Sequence, residues 1–143
     1  MKNKLLVTAF AFTLIGLNGC QTNSAKQAMS SGSQVEIRSY QTKEYSIEDK
    51  ETFDKKVMMR AVIATLQDLG FVVEKADEMV GLVSARKLDG GILDMSVTVS
   101  EKPSKVVVRA NAQYGLNAVE DAEPYQDFFT SLDKGLFLEK NVN

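Results

Sequence analysis

Few residues of this chain could do covalent chemistry, because its 143 residues include a single cysteine, Cys20, and no histidine. Without histidine, neither a Ser-His-Asp triad nor a Cys-His pair can form, and zinc sites built from His and Cys lack ligands. A Ser–Lys pair between Ser84 and Lys87 would need both side chains on one face, yet strand alternation places them on opposite faces. We therefore predict a protein that is not an enzyme, with no catalytic residues, no metal and no cofactor.

Two further clusters suggest ligand sites but fit structural roles better. Glu120, Asp121 and Glu123 could meet calcium, but the D-x-D-x-D-G spacing of calcium loops is missing. Acidic residues just before Pro124 suit the positive end of a helix instead. The pair Gly90-Gly91 lacks the strand and helix context of a phosphate-binding loop, so it predicts a hairpin turn.

The remaining candidate is Cys20, which follows a segment typical of export signals. Lys2 and Lys4 precede an apolar run over 5–17, which is shorter than the about 20 residues that span a bilayer. A short anchoring helix is the alternative interpretation. The sequence Leu17-Asn18-Gly19-Cys20 resembles a bacterial lipobox, in which the cysteine thiol accepts diacylglycerol. This resemblance implies cleavage after Gly19 and stable attachment to a membrane through two or three acyl chains.

The residues after Cys20 suggest where the protein resides. An aspartate at the next position resembles an inner-membrane retention signal, whereas this chain has Gln21, which favours the outer membrane, lipid-anchored and facing the periplasm. The segment 21–33 is rich in Ser, Gln, Asn and Ala and predicts a flexible tether. We predict a signal peptide over 1–19, a lipidated tether over 20–33 and one domain over 34–143.

Composition and charge set further limits on this domain. The chain is 44% hydrophobic and 25% charged, as expected for a protein with a packed core. Loss of Lys2 and Lys4 with the signal peptide would change the net charge from −2 to −4, which argues against nucleic acid as a partner. With one cysteine there is no intramolecular disulfide, so packing alone must stabilise the fold.

Hydrophobic periodicity predicts seven elements in the order β-α-β-β-β-β-α. An edge strand over 35–45, with Val35, Ile37 and Tyr45 on one face, precedes a helix over 49–69 that Ser46 or Asp49 caps. Gly70 ends this helix in the left-handed conformation, with Phe71 against Leu66. The later elements are strands over 71–75, 80–87, 92–100 and 105–114, and a helix that begins at Pro124.

These elements predict an α+β domain, with a single antiparallel sheet and two helices on its one dry face. Inward positions are expected at alternate residues of the last two strands: Leu93, Met95, Val97, Val99, Val106, Val108, Ala110, Ala112 and Tyr114. Met58, Ala61, Val62, Thr65, Leu66 and Leu69 form the apolar face of the first helix, and Met58-Met59 is interpreted as one core and one edge residue. The second helix presents Tyr125, Phe128, Phe129, Leu132 and Leu136.

The segment 49–88 resembles the core of helix-grip domains. The residues that carry this resemblance are Leu66-Gln67-Asp68-Leu69-Gly70-Phe71, then Asp77, and then Gly81-Leu82-Val83-Ser84-Ala85, in a helix–Gly–Phe–strand–Asp–x₃–Gly–strand arrangement. Such domains occur in BamC, a lipoprotein of the outer-membrane barrel-assembly machinery. The resemblance implies a helix-grip-like fold within a small family of outer-membrane lipoproteins.

Two functions are consistent with this sequence. The first is a non-catalytic accessory module that binds a protein partner in a cell-envelope assembly for biogenesis, export or efflux, with the strand 35–45 or the aromatic residues Tyr125, Phe128 and Phe129 as docking surfaces. Packing of those aromatic residues on the sheet is the alternative interpretation. The second function is a carrier that holds a lipid or another apolar ligand between helix and sheet, where Ala61, Ala110 and Ala112 leave room.

Overall fold

The fold is an antiparallel sheet with helices on one face, as the periodicity predicts. The structure is a computed structural model that describes residues 35–47, 53–88 and 90–142, without the side chains of residues 139–142. The helices are α1 (35–41), α2 (Lys55–Asp68) and α3 (Glu123–Val142), and the strands are β1 (Thr42–Ser46), β2 (Val72–Asp77), β3 (Leu82–Leu88), β4 (Ile92–Lys102), β5 (Lys105–Tyr114) and β6 (Asn117–Ala118).

Strand order in the sheet is β1-β5-β4-β3-β2, and β6 pairs with the end of β5. Every pairing is antiparallel. The strands β2 to β5 follow one another as hairpins, so each neighbour in the chain is a neighbour in the sheet. β1 and β2 form the two edges, which confirms that the first strand is an edge strand.

One face of the sheet is covered by α2 and α3, and this face holds the core. Strict alternation in β4 and β5 buries every second residue there, because successive side chains of a strand point to opposite faces. Tyr125, Phe128 and Leu132 of α3 and Met58, Val62 and Leu66 of α2 are fully buried against these strands. Each such side chain contributes about 1.5–3 kcal/mol relative to an exposed position.

The segment 35–41 is helical, so the prediction of a strand over 35–45 is wrong for its first seven residues. Val35, expected on the same strand face as Tyr45, lies in this helix and is 68% exposed. The side chains of this segment that are not fully exposed are Ile37, Tyr40 and Gln41, whose i, i+3, i+4 spacing is helical, and Tyr40 packs against the core. Only the second part of the segment, Thr42–Ser46, forms a strand.

The start of α2 also differs from the prediction, while its end agrees. Ser46 is the last residue of β1 and does not cap the helix, and Asp49 lies outside the described residues. Asp54 is the N-cap, and its Oδ1 accepts a hydrogen bond of 2.8 Å from the backbone N–H of Val57. At the other end Gly70 has a φ of 83°, which glycine adopts without the cost that a Cβ brings.

Three smaller expectations are wrong. Tyr114, expected inward, is 39% exposed at the last residue of β5. Val80, expected as the first residue of the strand 80–87, lies in the turn before β3. Met59, expected at the edge of the core, is buried with Met58.

Candidate functional site

A groove of about 520 Å³ lies between α2 and α3, on the surface of the helix layer. Small residues create it, because Ala61 and Ala64 of α2 face Ser131 and Gly135 of α3 and leave the space that larger side chains would fill. Thr65 lies deepest, at 4% exposure. Its Oγ1 is 4.0 Å from the position that a Cβ on Gly135 would occupy.

The sides of this groove carry more positive than negative charge. Arg60 and Lys134 line it from opposite helices, together with one acid, Asp68. Within the described residues, neither Arg60 nor Lys134 has an ion-pair partner. Leu138, which is 61% exposed, supplies apolar surface. The groove therefore combines an apolar lining with two cations that a partner can neutralise.

The aromatic residues singled out by the sequence lie in the core instead of forming a surface. Tyr125 and Phe128 are 0% exposed and Phe129 is 7% exposed, because α3 turns this stripe onto the sheet. Phe128 and Phe129 are in edge-to-face contact, with ring centroids 5.0 Å apart. The prediction of a docking surface at these three residues is therefore wrong, and their packing on the sheet is confirmed.

The buried hydroxyl of Tyr125 joins four segments of the chain. It donates a hydrogen bond of 2.8 Å to the carbonyl of Val119. It accepts one of 3.1 Å from the backbone N–H of Ala112 in β5 and another of 3.1 Å from Nε2 of Gln41 in α1. Tyr40 adds a hydrogen bond of 2.6 Å from its hydroxyl to the carbonyl of Glu120. This cluster is structural, since its hydrogen bonds join separate segments of the fold to one another.

A second polar cluster ties the edge strand β1 to α3. The carboxylate of Asp133 accepts a hydrogen bond of 3.0 Å from the hydroxyl of Tyr45 and forms an ion pair with Lys43. Burial raises the pKa of Tyr45, and the negative charge of Asp133 raises it further. The phenol of Tyr45 therefore stays protonated as a hydrogen-bond donor, which makes it a poor acid or base near neutral pH.

The residues that sequence reasoning considered for chemistry are dispersed in the structure. Ser84 lies on the open face of the sheet, whereas Lys87 lies on the helix side with its Nζ 5.6 Å from the ring centroid of Phe71. Asp121 accepts a hydrogen bond of 3.0 Å from the N–H of Glu123 at the start of α3. Among residues 35–47, 53–88 and 90–142, no three acids or other ligand side chains are grouped to hold a metal ion.

The cavity expected for a carrier differs from the observed groove. Ala110 and Ala112 are buried between the sheet and the helices, while Ala61 lines the groove on the outer side of the helix layer. The groove thus lies between two helices, not between helix and sheet. No signal in the sequence alone pointed to Arg60 and Lys134, because their proximity depends on how α2 and α3 meet.

Leu17, Asn18, Gly19 and Cys20 lie outside the described residues, so the lipid anchor stays a prediction. No helix in the described part of the chain has the length and apolar character that crossing a membrane requires. Neither the models of known protein families nor the curated proteins match this chain. The resemblance to helix-grip domains therefore also stays a prediction.

Proposed function

We propose that this chain is a lipid-anchored, non-catalytic interaction module of the bacterial outer membrane that binds an acidic segment of an envelope protein in the groove between α2 and α3. The observation that carries this proposal is the pair of cations, Arg60 and Lys134, which line the groove with a single acid, Asp68, and form no ion pair among the described residues. In a chain with more acids than bases, such a site favours a negatively charged ligand.

The shape of the groove supports a peptide segment as the ligand. The groove is open along the surface of the two helices, so an extended segment can lie in it. The apolar lining around Ala61, Ala64 and Leu138 suits an apolar side chain next to the acid. A segment with acidic and apolar residues would satisfy both features.

The anchor is supported by the sequence Leu17-Asn18-Gly19-Cys20 after an apolar run of signal-peptide length. Mass spectrometry of the protein purified from membranes tests it. We expect a mature N-terminus at Cys20 that carries acyl chains, and an unprocessed, unacylated chain for Cys20→Ser. An unmodified Cys20 within a chain that starts at Met1 would contradict the anchor.

Crosslinking in intact cells tests the groove. A photoreactive amino acid in place of Ala64, which is exposed and lines the groove, is expected to form an adduct with one envelope protein. The same amino acid in place of Asn111, on the open sheet face, serves as the positional control. We expect the adduct at position 64 to be stronger and to map to an acidic segment.

Charge reversal supplies the matched control for this experiment. The double variant Arg60→Glu with Lys134→Glu is expected to lower the yield of the adduct roughly tenfold. This factor corresponds to a loss of about 1.4 kcal/mol in binding free energy. Lys56→Glu with Lys75→Glu changes the net charge equally at exposed positions outside the groove and should retain the adduct. An equal loss in both variants, or no adduct from position 64, would reject the groove as the binding site.

A further inference from the structure

The charges at the two ends of α2 are opposite to those that a helix dipole favours. Apart from the cap Asp54, the first turn carries Lys55 and Lys56 and no acid, and the last turn carries Asp68 and no base. A helix has partial positive charge at its N-terminus and partial negative charge at its C-terminus. Each end of α2 is therefore stabilised by an opposite charge supplied from outside the helix.

Three exposed residues form a ridge along the outer surface of α2. Arg60, Ala64 and Asp68 are exposed and follow one another at intervals of four residues, which places them on the same face of the helix. We call these three residues the α2 ridge. Arg60 and Asp68 lie about 12 Å apart along the helix axis, too far to pair with each other. Neither forms an ion pair within the described part of the chain.

The α2 ridge is complementary to a second copy of itself. If a twofold axis passes through Ala64, the two helices run antiparallel and Arg60 of each copy lies opposite Asp68 of the other. Two equivalent ion pairs form in this arrangement. The basic half of each helix meets the acidic end of the other, which supplies the opposite charge that the end at Asp68 lacks.

The middle of the α2 ridge permits close approach of the second copy. Ridges of residues four apart pack into the grooves of a facing helix with axes ~8–10 Å apart. Ala64 adds only a methyl group at the centre of the contact. The groove beside the ridge is lined by Ala61 and Gly135, so each copy also offers apolar space to the ridge of the other.

A second copy and an acidic segment of another protein make different demands on these residues. An acidic segment pairs with Arg60 and Lys134 but brings no cation to Asp68. A second copy pairs with Arg60 and Asp68 but brings no acid from its ridge to Lys134. Both ligands use Arg60, and the roles of Asp68 and Lys134 distinguish them.

We infer that two copies of this chain associate through the α2 ridge, antiparallel about Ala64, with Arg60 of each copy paired to Asp68 of the other. This contact goes beyond the proposed function and does not depend on it. The two are linked only by competition, because a second copy covers the groove that an acidic partner would occupy.

Disulfide crosslinking of the full chain in intact cells tests this contact. Ala64→Cys places one thiol from each copy at the twofold axis, so copper phenanthroline is expected to produce a disulfide-linked dimer. Asn111→Cys, on the open sheet face, is the positional control. Because Cys20 is the only natural cysteine, the natural chain under the same oxidant measures any disulfide through Cys20. A yield from position 64 no higher than these two controls overturns the inference.

Charge exchange in the Ala64→Cys chain tests the ion pairs. Arg60→Glu alone and Asp68→Arg alone each place like charges opposite one another and are expected to lower the dimer yield roughly tenfold. The two substitutions in one chain recreate both pairs with reversed sign and should restore the yield to within about twofold. Restoration also shows that the exchanged side chains do not disrupt folding. Single variants that keep the yield, or a double variant as low as the single ones, overturn the pairing.

The same variants separate this contact from the proposed function. Lys134→Glu should lower the adduct with an acidic envelope protein and should not lower the disulfide yield. Asp68→Arg should have the reverse effect. If only the adduct responds as expected, this contact is rejected and the proposed function stands; if only the disulfide does, the proposed partner is rejected and the contact between copies stands.

Discussion

The hydroxyl of Tyr125 shows how a single polar atom can hold separate segments together. Its three hydrogen bonds reach α1, β5 and the residue Val119 that precedes α3. A buried donor or acceptor that loses its partner costs about 1–3 kcal/mol. The side chain thus fixes the position of α1 although it belongs to α3.

Tyr125→Phe keeps the ring and removes this hydroxyl. We expect it to lower the free energy of unfolding by about 1–3 kcal/mol, because the N–H of Ala112 and the amide of Gln41 lose a buried partner. Urea unfolding followed by circular dichroism measures the change. Tyr40→Phe removes a hydroxyl with one exposed hydrogen bond and should cost less than about 1 kcal/mol; an equal cost for both variants would contradict this account.

Tyr45 makes the stability of the fold depend on pH in the alkaline range. Burial, together with Asp133, raises the pKa of Tyr45 above its ordinary value of 10.0, so above pH 10.0 the unfolded chain releases this proton while the folded chain retains it. The free energy of unfolding therefore falls as pH rises, by up to about 1.4 kcal/mol per pH unit.

Tyr45→Phe removes that proton and is expected to give a shallower decline of stability above pH 10. Denaturant unfolding of both proteins between pH 7 and pH 11 compares the slopes. The contribution from Tyr45 is fully present below pH 10.0, so the difference between the two proteins should be constant there. Parallel curves over the whole range would show that Tyr45 ionises equally in both states.

Helix ends show what local sequence determines and what it leaves open. At the end of α2, the N–H of Phe71 bonds the carbonyl of Leu66 at 2.9 Å and the N–H of Gly70 bonds that of Gln67 at 2.9 Å, which is the Schellman pattern predicted from Gly70-Phe71. The start of α2 was not determined locally, because Ser46, Asp49 and Asp54 are all good caps. Pairing of Ser46 with Lys105 in the sheet removes the first candidate.

The turn between β2 and β3 depends on Gly81. This residue has a φ of 79° and its added Cβ would lie 2.2 Å from the carbonyl oxygen of Val99. Gly81 also accepts a hydrogen bond of 2.7 Å from the N–H of Val99. The turn therefore approaches β4 too closely for any side chain.

Gly81→Ala is expected to lower the unfolding free energy substantially more than Gly90→Ala, as measured by thermal and urea unfolding. Gly90 has a similar φ of 64° with nothing within 4 Å of an added Cβ, so its substitution costs only the left-handed conformation, ~1–2 kcal/mol. The additional loss of unfolding free energy in the Gly81 variant measures the cost of the clash between the added Cβ and β4. Equal losses would show that β4 moves freely away from the turn.

At the scale of the whole molecule, the two faces of the sheet tolerate substitution differently. Met95 is 1% exposed beneath the helices, whereas its neighbour Ser96 points to the open face. We expect Met95→Ala to cost about 2–5 kcal/mol through the cavity it leaves. Ser96→Ala should stay within about 0.5 kcal/mol. Urea unfolding of both variants measures the contrast, and similar costs would mean that the open face is covered.

Local patterns predicted most of this architecture because β2 to β5 pair with their neighbours in the chain. The alternation of apolar and polar residues from Ile92 to Tyr114 predicts β4 and β5 almost in full. α1 was missed because its helical spacing is supported by contacts such as that between Gln41 and Tyr125, 84 residues apart. The groove was missed for a related reason. Ala61, Ala64 and Gly135 are small residues, and they form a groove only because α2 and α3 pack with these positions facing each other.

The pairing of β1 with β5 also has a consequence for the order of folding. β1 is the first strand made, but its only strand partner among the described residues is β5, which follows the whole β2–β3–β4 meander. Contacts between distant segments form late because a long loop must close first. A chain that emerges from its N-terminus, from a ribosome or through a translocation pore, must therefore leave β1 unpaired until the segment 105–109 has emerged.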